Sequence, residues 1–467
     1  VVPPKVSNLR PISPQPPRQS PKSKKLRWMW MMLGLGGVAV ASATAGALLA
    51  VSIASTPLLQ SDLTAEEAEV FNQGDRISTG MNFRLPQLTR PVNILVLGIK
   101  VISADLEEPP DEVRDLGYHA LVNSFEGLSD TMLLLRFDPQ SKHLAVLSIP
   151  RDTRTWVDGV GTTKLNEANV YGGPALTATA TSELLDGVSI DRYIRINVQG
   201  VEKLIDALGG VKVYVPQDMK YTDESQHLYI DLKEGEQQLN GDQAMQFLRF
   251  RYDQNGDIGR VQRQQMLMRS LLEQALNPAT IARAPQILSV IQSNVDTNLS
   301  VEELLALVGF ASQTNRSNVQ MLMVPGDFSS PSEFELSYWL PNHDRISEMM
   351  NRYFDIGTTY AYDDRSTYSD YLRVAIQDST DDADAVDHLI GTLHDQGYGN
   401  VYVANPWQER LTVTRIIAQQ GDSESAEAIR QALGFGEVRI ESTGSLRSDI
   451  TIQLGQDWLR QEAGSLY

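Results

Sequence analysis

The feature that most constrains this chain is a stretch without a single charged residue, running from Trp28 to Ser61. Within it, residues 31–53 are continuously apolar or small. At about 1.5 Å per residue that is enough helix to cross a hydrocarbon layer of about 30 Å. No polar face interrupts the run, so it does not fit a buried helix of a water-soluble core. The flank before it is basic and proline-rich, with Lys22, Lys24, Lys25 and Arg27, and Trp28 and Trp30 stand where an interfacial aromatic anchor belongs. The positive-inside tendency places the N-terminal tail in the cytoplasm and everything after residue 61 outside it, anchored once in the cell membrane. The competing reading is a cleaved signal peptide, because Ala41-Ser42-Ala43 has the small-x-small form of a cleavage site. Apolar character continues beyond that point to Ile53, which favours an uncleaved anchor.

The rest of the chain is acidic. Formal net charge is -19, yet residues 1–27 carry seven Lys or Arg and no Asp or Glu, leaving -26 for the remainder. Such a balance argues against nucleic acid as a partner, since a phosphate backbone needs a basic footprint. There is no cysteine, which removes disulfides, thiolate nucleophiles and the commoner structural zinc sites. The six histidines are scattered, without the i, i+4 spacing of a metal-binding helix. The sequence also lacks G-x-S-x-G, G-x-x-x-x-G-K-[ST] and H-E-x-x-H.

Hydrophobic texture divides the chain into a basic tail (1–27), the anchor (28–55), a stalk (62–90), a main domain (91–350), a linker (355–370) and a smaller domain (371–456). The stalk is expected to be helical over 63–71, capped by Thr64. The run V-N-I-L-V-L at 92–97, closed by Gly98, has the pattern of a buried strand. Residues 101–127, acidic and proline-containing, are expected as a long loop. Apolar runs at 131–137 and 143–149 flank Asp138-Pro139-Gln140-Ser141-Lys142, whose turn chemistry predicts a hairpin. A strand at 193–198, a helix at 199–208 ended by Gly209-Gly210, and a strand at 211–215 follow. This mixture predicts a layered α/β/α domain with a mixed central sheet, a smaller C-terminal α/β domain and an N-terminal transmembrane helix.

Three segments carry candidate chemistry. Residues 235–265 gather Arg249, Arg251, Arg260 and Arg263 in an otherwise acidic protein. In an extended backbone Arg249 and Arg251 point the same way, and on a helix Arg260, Arg263 and Gln264 share a face. Guanidinium groups are planar, bidentate and always charged, so such a cluster suits a diphosphate. Structural ion pairs with Asp253, Asp257 and Glu236 are the equally available alternative. The segment L-S-D-T-M puts Asp130 at the entrance to a strand, where a carboxylate can be aimed at a metal or a proton, although such an Asp is more often a simple loop residue. The segment S-I-P-R-D-T ends a strand with Arg151 and Asp152, a position where α/β sites collect but where Arg-Asp neighbours are mostly surface pairs.

Together with N-I-L-V-L-G, K-L-N-E-A-N-V-Y-G-G, A-L-G-G-V-K-V, L-N-G-D-Q-A-M-Q-F-L-R-F-R and G-D-I-G-R-V-Q-R-Q-Q, these segments resemble the LytR-CpsA-Psr family over residues 92–275. The C-terminal unit, ending D-I-T-I-Q-L-G-Q-D-W, resembles the LytR C-terminal domain more weakly. The resemblance implies a phosphotransferase that moves a polyprenyl-pyrophosphate-linked glycopolymer onto a peptidoglycan sugar hydroxyl through a phosphodiester. It also implies a metal role, with Mg²⁺, for Asp130 and a phosphate contact for Arg151. Arg249, Arg251 and Arg260 would complete a phosphate clamp supported by Gln264, and Lys164 and Asp257 match family positions. Two departures stand out: Gly98-Ile99-Lys100 replaces the family's Gly-x-Asp, and Leu128 replaces an arginine. A lysine repels Mg²⁺ and can itself bind a phosphate oxygen, so weakened magnesium dependence is expected, with Lys100 as a phosphate ligand. A non-catalytic scaffold that binds a polyprenyl phosphate is the rival reading; a DNA-binding regulator is disfavoured by charge and anchor.

Overall fold

The computed structural model describes residues 58–71, 75–80, 86–100, 125–223, 228–250, 256–281, 283–330, 332–357 and 372–465. The basic tail, the anchor and most of both the loop expected at 101–127 and the linker lie outside these. Among the described residues no helix is long and apolar enough to cross a membrane.

The central sheet follows from the alternation of its strands. β1 (Val92–Lys100) pairs antiparallel with β2 (Leu128–Asp138), which turns into the antiparallel β3 (His143–Ile149). The turn forms as its residues dictate. The Asp138 carboxylate accepts from the Gln140 backbone N–H at 2.9 Å and the Ser141 hydroxyl at 2.5 Å, and Lys142 takes φ 58°. A small hairpin follows, β4 (Arg154–Val157) with β5 (Gly161–Lys164). β6 (Arg192–Asn197) then joins parallel to β1.

Two minor ladders come next, β7 (Val211–Val215) with β10 (Gly235–Leu239) and β8 (Met219–Asp223) with β9 (Leu228–Leu232). β11 (Val295–Thr297) pairs antiparallel with β6, and β12 (Val319–Met323) pairs parallel with β3. The completed mixed sheet has the order β11-β6-β1-β2-β3-β12. Leu95, Leu134, Leu147 and Leu322 are successive cross-strand partners, all buried on one face. They belong to the core that includes Ala175 and Ala178 of the Ala168–Leu184 helix and Ile346, Met350 and Phe354 of the His343–Phe354 helix. Leu133, Ser148 and Met323 form the matching row on the opposite face.

The stretch expected as a stalk is instead packed onto this domain. The short Ala65–Glu69 helix carries the Thr64 capping box, but beyond it Phe71 and Ile77 are fully buried, with the Phe71 ring 5.0 Å from that of Tyr193. Ser61 donates twice to Asp296, which also accepts from Arg195 Nε at 2.6 Å, tying the chain before the helix to the β6–β11 edge. Apolar residues too sparse to show a period still bury whenever a sheet edge offers a place.

Past residue 372 a second sheet forms in the order β16-β15-β19-β17-β18, from β15 (Val374–Asp378), β16 (Val401–Val403), β17 (Arg415–Ala418), β18 (Glu437–Arg439) and β19 (Ile450–Leu454). One more ladder, β13 (Gly326–Phe328) with β14 (Trp339–Pro341), lies before it in the chain. The helices Ala383–Asp395 and Ser423–Leu433 contribute Leu389, Leu393 and Ile429 to its core.

The second unit is docked on the first by buried charge. Asp449, just before β19, accepts from Arg345 of the first domain at 2.7 Å and from Arg373 of its own at 3.1 Å. Burial alone would raise its pKa, but the Arg373 hydrogen bonds and the Arg345 guanidinium outweigh burial and lower it. A carboxylate depressed in the folded state adds stability above its unfolded pKa, ordinarily 3.8, and loses it as pH falls through the folded value. Urea denaturation should therefore show stability falling as pH drops below about 4, with Asp449→Asn giving a flatter profile from a lower start. An unchanged profile in the variant would remove Asp449 from the docking.

Candidate functional site

The site begins with an irregularity in the sheet. Gly98 pairs with Thr131, but Ile99 pairs with Ser129, so Asp130 is an extra residue in β2 with no partner in β1. Strict alternation would turn residue 130 to the face of Met132 and Leu134, into the core. The bulge re-aims it, and such bulges are favoured beside functional sites for that reason. Gly98 belongs to the same device: a Cβ there would stand 3.0 Å from the Cβ of Thr131, so a larger residue would press on the bulge.

Arg151 comes to Asp130 from the end of β3. Pro150 stops the strand, and the turn is closed by the Thr153 N–H and hydroxyl on the Pro150 carbonyl, at 3.0 and 2.5 Å. Arg151 then donates from Nη1 to Asp130 Oδ1 at 2.7 Å and from Nε to Asp152 Oδ2 at 3.3 Å. Lys164, at the end of β5, reaches Asp152 Oδ1 at 2.8 Å and lies 5.6 Å from the centre of the Tyr338 ring. Burial works against the Arg151 charge, but the carboxylates of Asp130 and Asp152 prevail and raise its pKa further. The guanidinium is thus permanently charged and held at two points.

These groups open on a cavity. Asp130, Thr131, Leu133, Ser148, Arg151 and Asp152 line one side, Gln264, Gln265 and Met268 of the Gly256–Ala275 helix another, and Met323, Phe328, Tyr338 and Trp339 a third. Apolar and aromatic walls with a few convergent polar groups are the usual make-up of a small-molecule or lipid site. Asp130 and Arg151 meet here with Gln264, which lies more than a hundred residues farther along the chain, and Lys164 buttresses Asp152.

The arginine-rich segment divides. Arg249 does not lie on an extended backbone; it ends the Gly241–Arg249 helix, which starts at a capping box of Asn240 and Gln243 and buries Ala244, Met245 and Phe247. It is not among the residues lining the cavity, and its charge acts on Glu202, opposing the rise that burial gives that carboxyl. Arg263, three residues from Arg260 on the helix, turns inward: it is buried, donates to the Phe250 carbonyl and lies 5.9 Å from that ring. The neighbouring Gln264 faces the cavity instead. Arg251 and the side chains of Lys100, Asp257 and Arg260 lie outside the described residues.

The aromatic wall gave no signal in the sequence. Tyr338 and Trp339 sit in a short segment, S-Y-W-L-P, with no period and no motif. Trp339 is placed by its backbone N–H on the Asp152 carbonyl at 2.9 Å and by its indole N–H on the Val324 carbonyl at 3.1 Å. Among the described residues no group of three His, Cys, Asp or Glu side chains converges as a metal cage.

The chain is similar to known proteins over this same region. It is 32% identical over 230 residues, 48% of this chain and 58% of the relative, to the polyisoprenyl-teichoic acid–peptidoglycan teichoic acid transferase TagV of Bacillus subtilis. To the TagU of Bacillus mycoides, named for the same transfer, it is 29% identical over 285 residues, 60% of this chain and 83% of the relative. The crystal structure of B. subtilis TagV aligns with a TM-score of 0.46 and 27% identity, covering 58% of this chain and 99% of that one. A second family model, described as LytR cell envelope-related transcriptional attenuator, matches residues 371–458. The model of the LytR-CpsA-Psr family matches residues 56–355, and the chain belongs to that family.

Proposed function

We propose that this protein is a transferase that moves a polyprenyl-diphosphate-linked glycopolymer to a sugar hydroxyl of peptidoglycan. The observation that carries the reading is Arg151, a permanently charged guanidinium held between Asp130 and Asp152 at the wall of a largely apolar cavity. Family membership and the activity named for TagV and TagU support it. The anchor at 28–55 would hold the domain at the outer face of the membrane, where a polyprenyl carrier presents its diphosphate. The three-layered α/β/α arrangement, with helices on both faces of the sheet, is part of the same reading.

Phosphoryl transfer asks a protein chiefly for positioning and for charge placed where it develops. In this reading the sugar hydroxyl oxygen attacks the glycan-side phosphorus. The bond to the bridging oxygen breaks, and polyprenyl monophosphate leaves with the electron pair. Arg151 gives that leaving phosphate a bidentate, charged donor, and Gln264 adds a neutral one. Asp130 stands to orient the incoming hydroxyl and accept its proton. Arg251 and Arg260 would extend the cationic wall, and Lys100 would stand at the end of β1. Lys164 would hold Asp152 and through it Arg151. Arg249, engaged with Glu202, is the weakest member of the clamp.

Mg²⁺ takes oxygen ligands and commonly only one or two carboxylates, the rest coming from water and substrate phosphates. The donor set fits that pattern: Asp130 is the carboxylate that would hold the ion, which would shield the diphosphate charge. Lys100, in the family's usual place for a second carboxylate, would reduce the dependence on it. That same replacement favours the rival reading, a scaffold that binds the lipid diphosphate without turning it over.

Arg151→Ala in the full-length membrane protein should lower the transfer rate by about 10²–10³, comparable with loss of an oxyanion donor. Equal turnover in variant and wild type would defeat the assignment, and tight donor binding without turnover in the wild type would establish the scaffold. Gly98→Ala should cost roughly 1–3 kcal/mol in chemical denaturation, from overpacking against Thr131, and should depress transfer beyond what that stability loss explains. Transfer should persist, reduced, when Mg²⁺ is chelated, and Lys100→Ala should make it strictly Mg²⁺-dependent. Absolute dependence in the wild type, with no effect of Lys100→Ala, would refute this role for the lysine.

A further inference from the structure

Among the described residues the second domain supplies none to the lining of the cavity, yet it touches the backs of two of the cavity's three walls. The contact is a strap, residues 440–449, between β18 and β19. It begins where the Ile440 carbonyl accepts from the Met321 N–H at 2.9 Å, covering the free edge of β12. Glu441 then pairs with Arg269 at 3.2 Å, the Ser442 hydroxyl donates to Gln265 Oε1 at 2.9 Å, and the Gly444 carbonyl accepts from Gln262 Nε2 at 3.2 Å.

Gln262, Gln265 and Arg269 are spaced by three and four residues, so they form one stripe of the Gly256–Ala275 helix. The stripe lining the cavity is Gln264, Gln265 and Met268. Gln265 belongs to both, and it is 4% exposed while Ser442 is 0%. Farther along the strap, Leu446 packs with Met323 and Trp339 in one small buried cluster. Both of those line the cavity, and the Trp339 backbone N–H holds the carbonyl of Asp152, the residue that grips Arg151.

The strap is itself fixed from behind. The Gly444 N–H donates to Gln419 Oε1 at 3.0 Å, and the Ser445 N–H donates to Thr451 Oγ1 at 3.0 Å. A rigid strap that satisfies a buried amide and fills the back of an aromatic wall can set where those groups stand. Ordinary docking would need neither contact, since Asp449 with Arg345 already supplies an anchor.

We propose that Ser442 and Leu446 are positioning residues for the transfer site, the strap of the second domain holding the glutamine helix and the Trp339 wall in register with Arg151. This rests on the transferase reading above. The second domain thereby becomes a working part of the active site.

The test uses full-length protein in membranes, comparing Ser442→Ala, Leu446→Ala and Ser442→Thr with wild type and Arg151→Ala. Transfer kinetics and thermal unfolding are recorded for each. Ser442→Ala and Leu446→Ala should lower kcat roughly tenfold or more, since small displacements of positioned groups cost that much and beyond. The donor KM should change far less, both variants should remain folded at the assay temperature, and Ser442→Thr, which keeps the hydroxyl, should recover most of the rate.

Unchanged kcat in both variants overturns the proposal. So does a loss that follows the unfolded fraction and is equally large in Ser442→Thr. Equal turnover in wild type and Arg151→Ala would mean that the transferase reading has failed. The same variants are then compared by their affinity for polyprenyl diphosphate: weaker binding in both alanine variants, restored in Ser442→Thr, supports the strap's role, and unchanged binding overturns it.

Discussion

The register of the central sheet is the constraint on which the rest depends. Leu95, Leu134, Leu147 and Leu322 stand opposite one another across four strands, and a slip of one residue in any of them would expel its leucine from the core. With that row fixed, alternation assigns every neighbouring side chain to a face, and Leu133, Ser148 and Met323 are committed to the cavity side. The row would also commit residue 130 to the core, and only an inserted residue can release it. The bulge at Asp130 therefore turns a carboxylate from the packed face of the sheet toward the cavity, and Gly98 leaves it room.

Charge is distributed around that bulge by the same economy of placement. Among the described residues Arg151 is the one cation at the cavity wall, and it is held by two carboxylates that keep its fork fixed before any ligand arrives. A donor fixed in advance costs no reorganisation when charge develops on a phosphate, which is where such an arrangement gains its effect. Lys164, on the partner strand of the next hairpin, fixes Asp152 in turn. The site is thus built from strand ends and turns whose geometry the sheet determines, with the glutamine helix and the Trp339 wall brought up to it from later in the chain.

Much of this was legible in the sequence, and the failures have physical reasons. The hairpin of β2 and β3 is readable because Asp138 to Lys142 carry turn chemistry between two apolar runs, and the helix at 199–208 because Gly209 marks its end. Asp130, Arg151 and Gln264 could be nominated only through motifs, since nothing local brings them together. Asp130 was expected at a strand entrance and lies instead at a bulge within β2, because a bulge depends on the partner strand's register. The sequence allows Arg249 an extended backbone; the Asn240 capping box and the burial of Phe247 make it the end of a helix. Phe71 and Trp339 lie where the sequence has no apolar period, so their burial depends on surfaces that only the folded chain creates.

Transfer at this cavity can be followed in one reaction by phosphorus NMR and lipid analysis. The full-length protein in membranes is incubated with a polyprenyl-diphosphate-linked glycopolymer and peptidoglycan. One polyprenyl monophosphate should be released for each new phosphodiester resonance on the peptidoglycan. Lipid diphosphate that remains intact at saturating acceptor, with no phosphodiester on the wall, would contradict it.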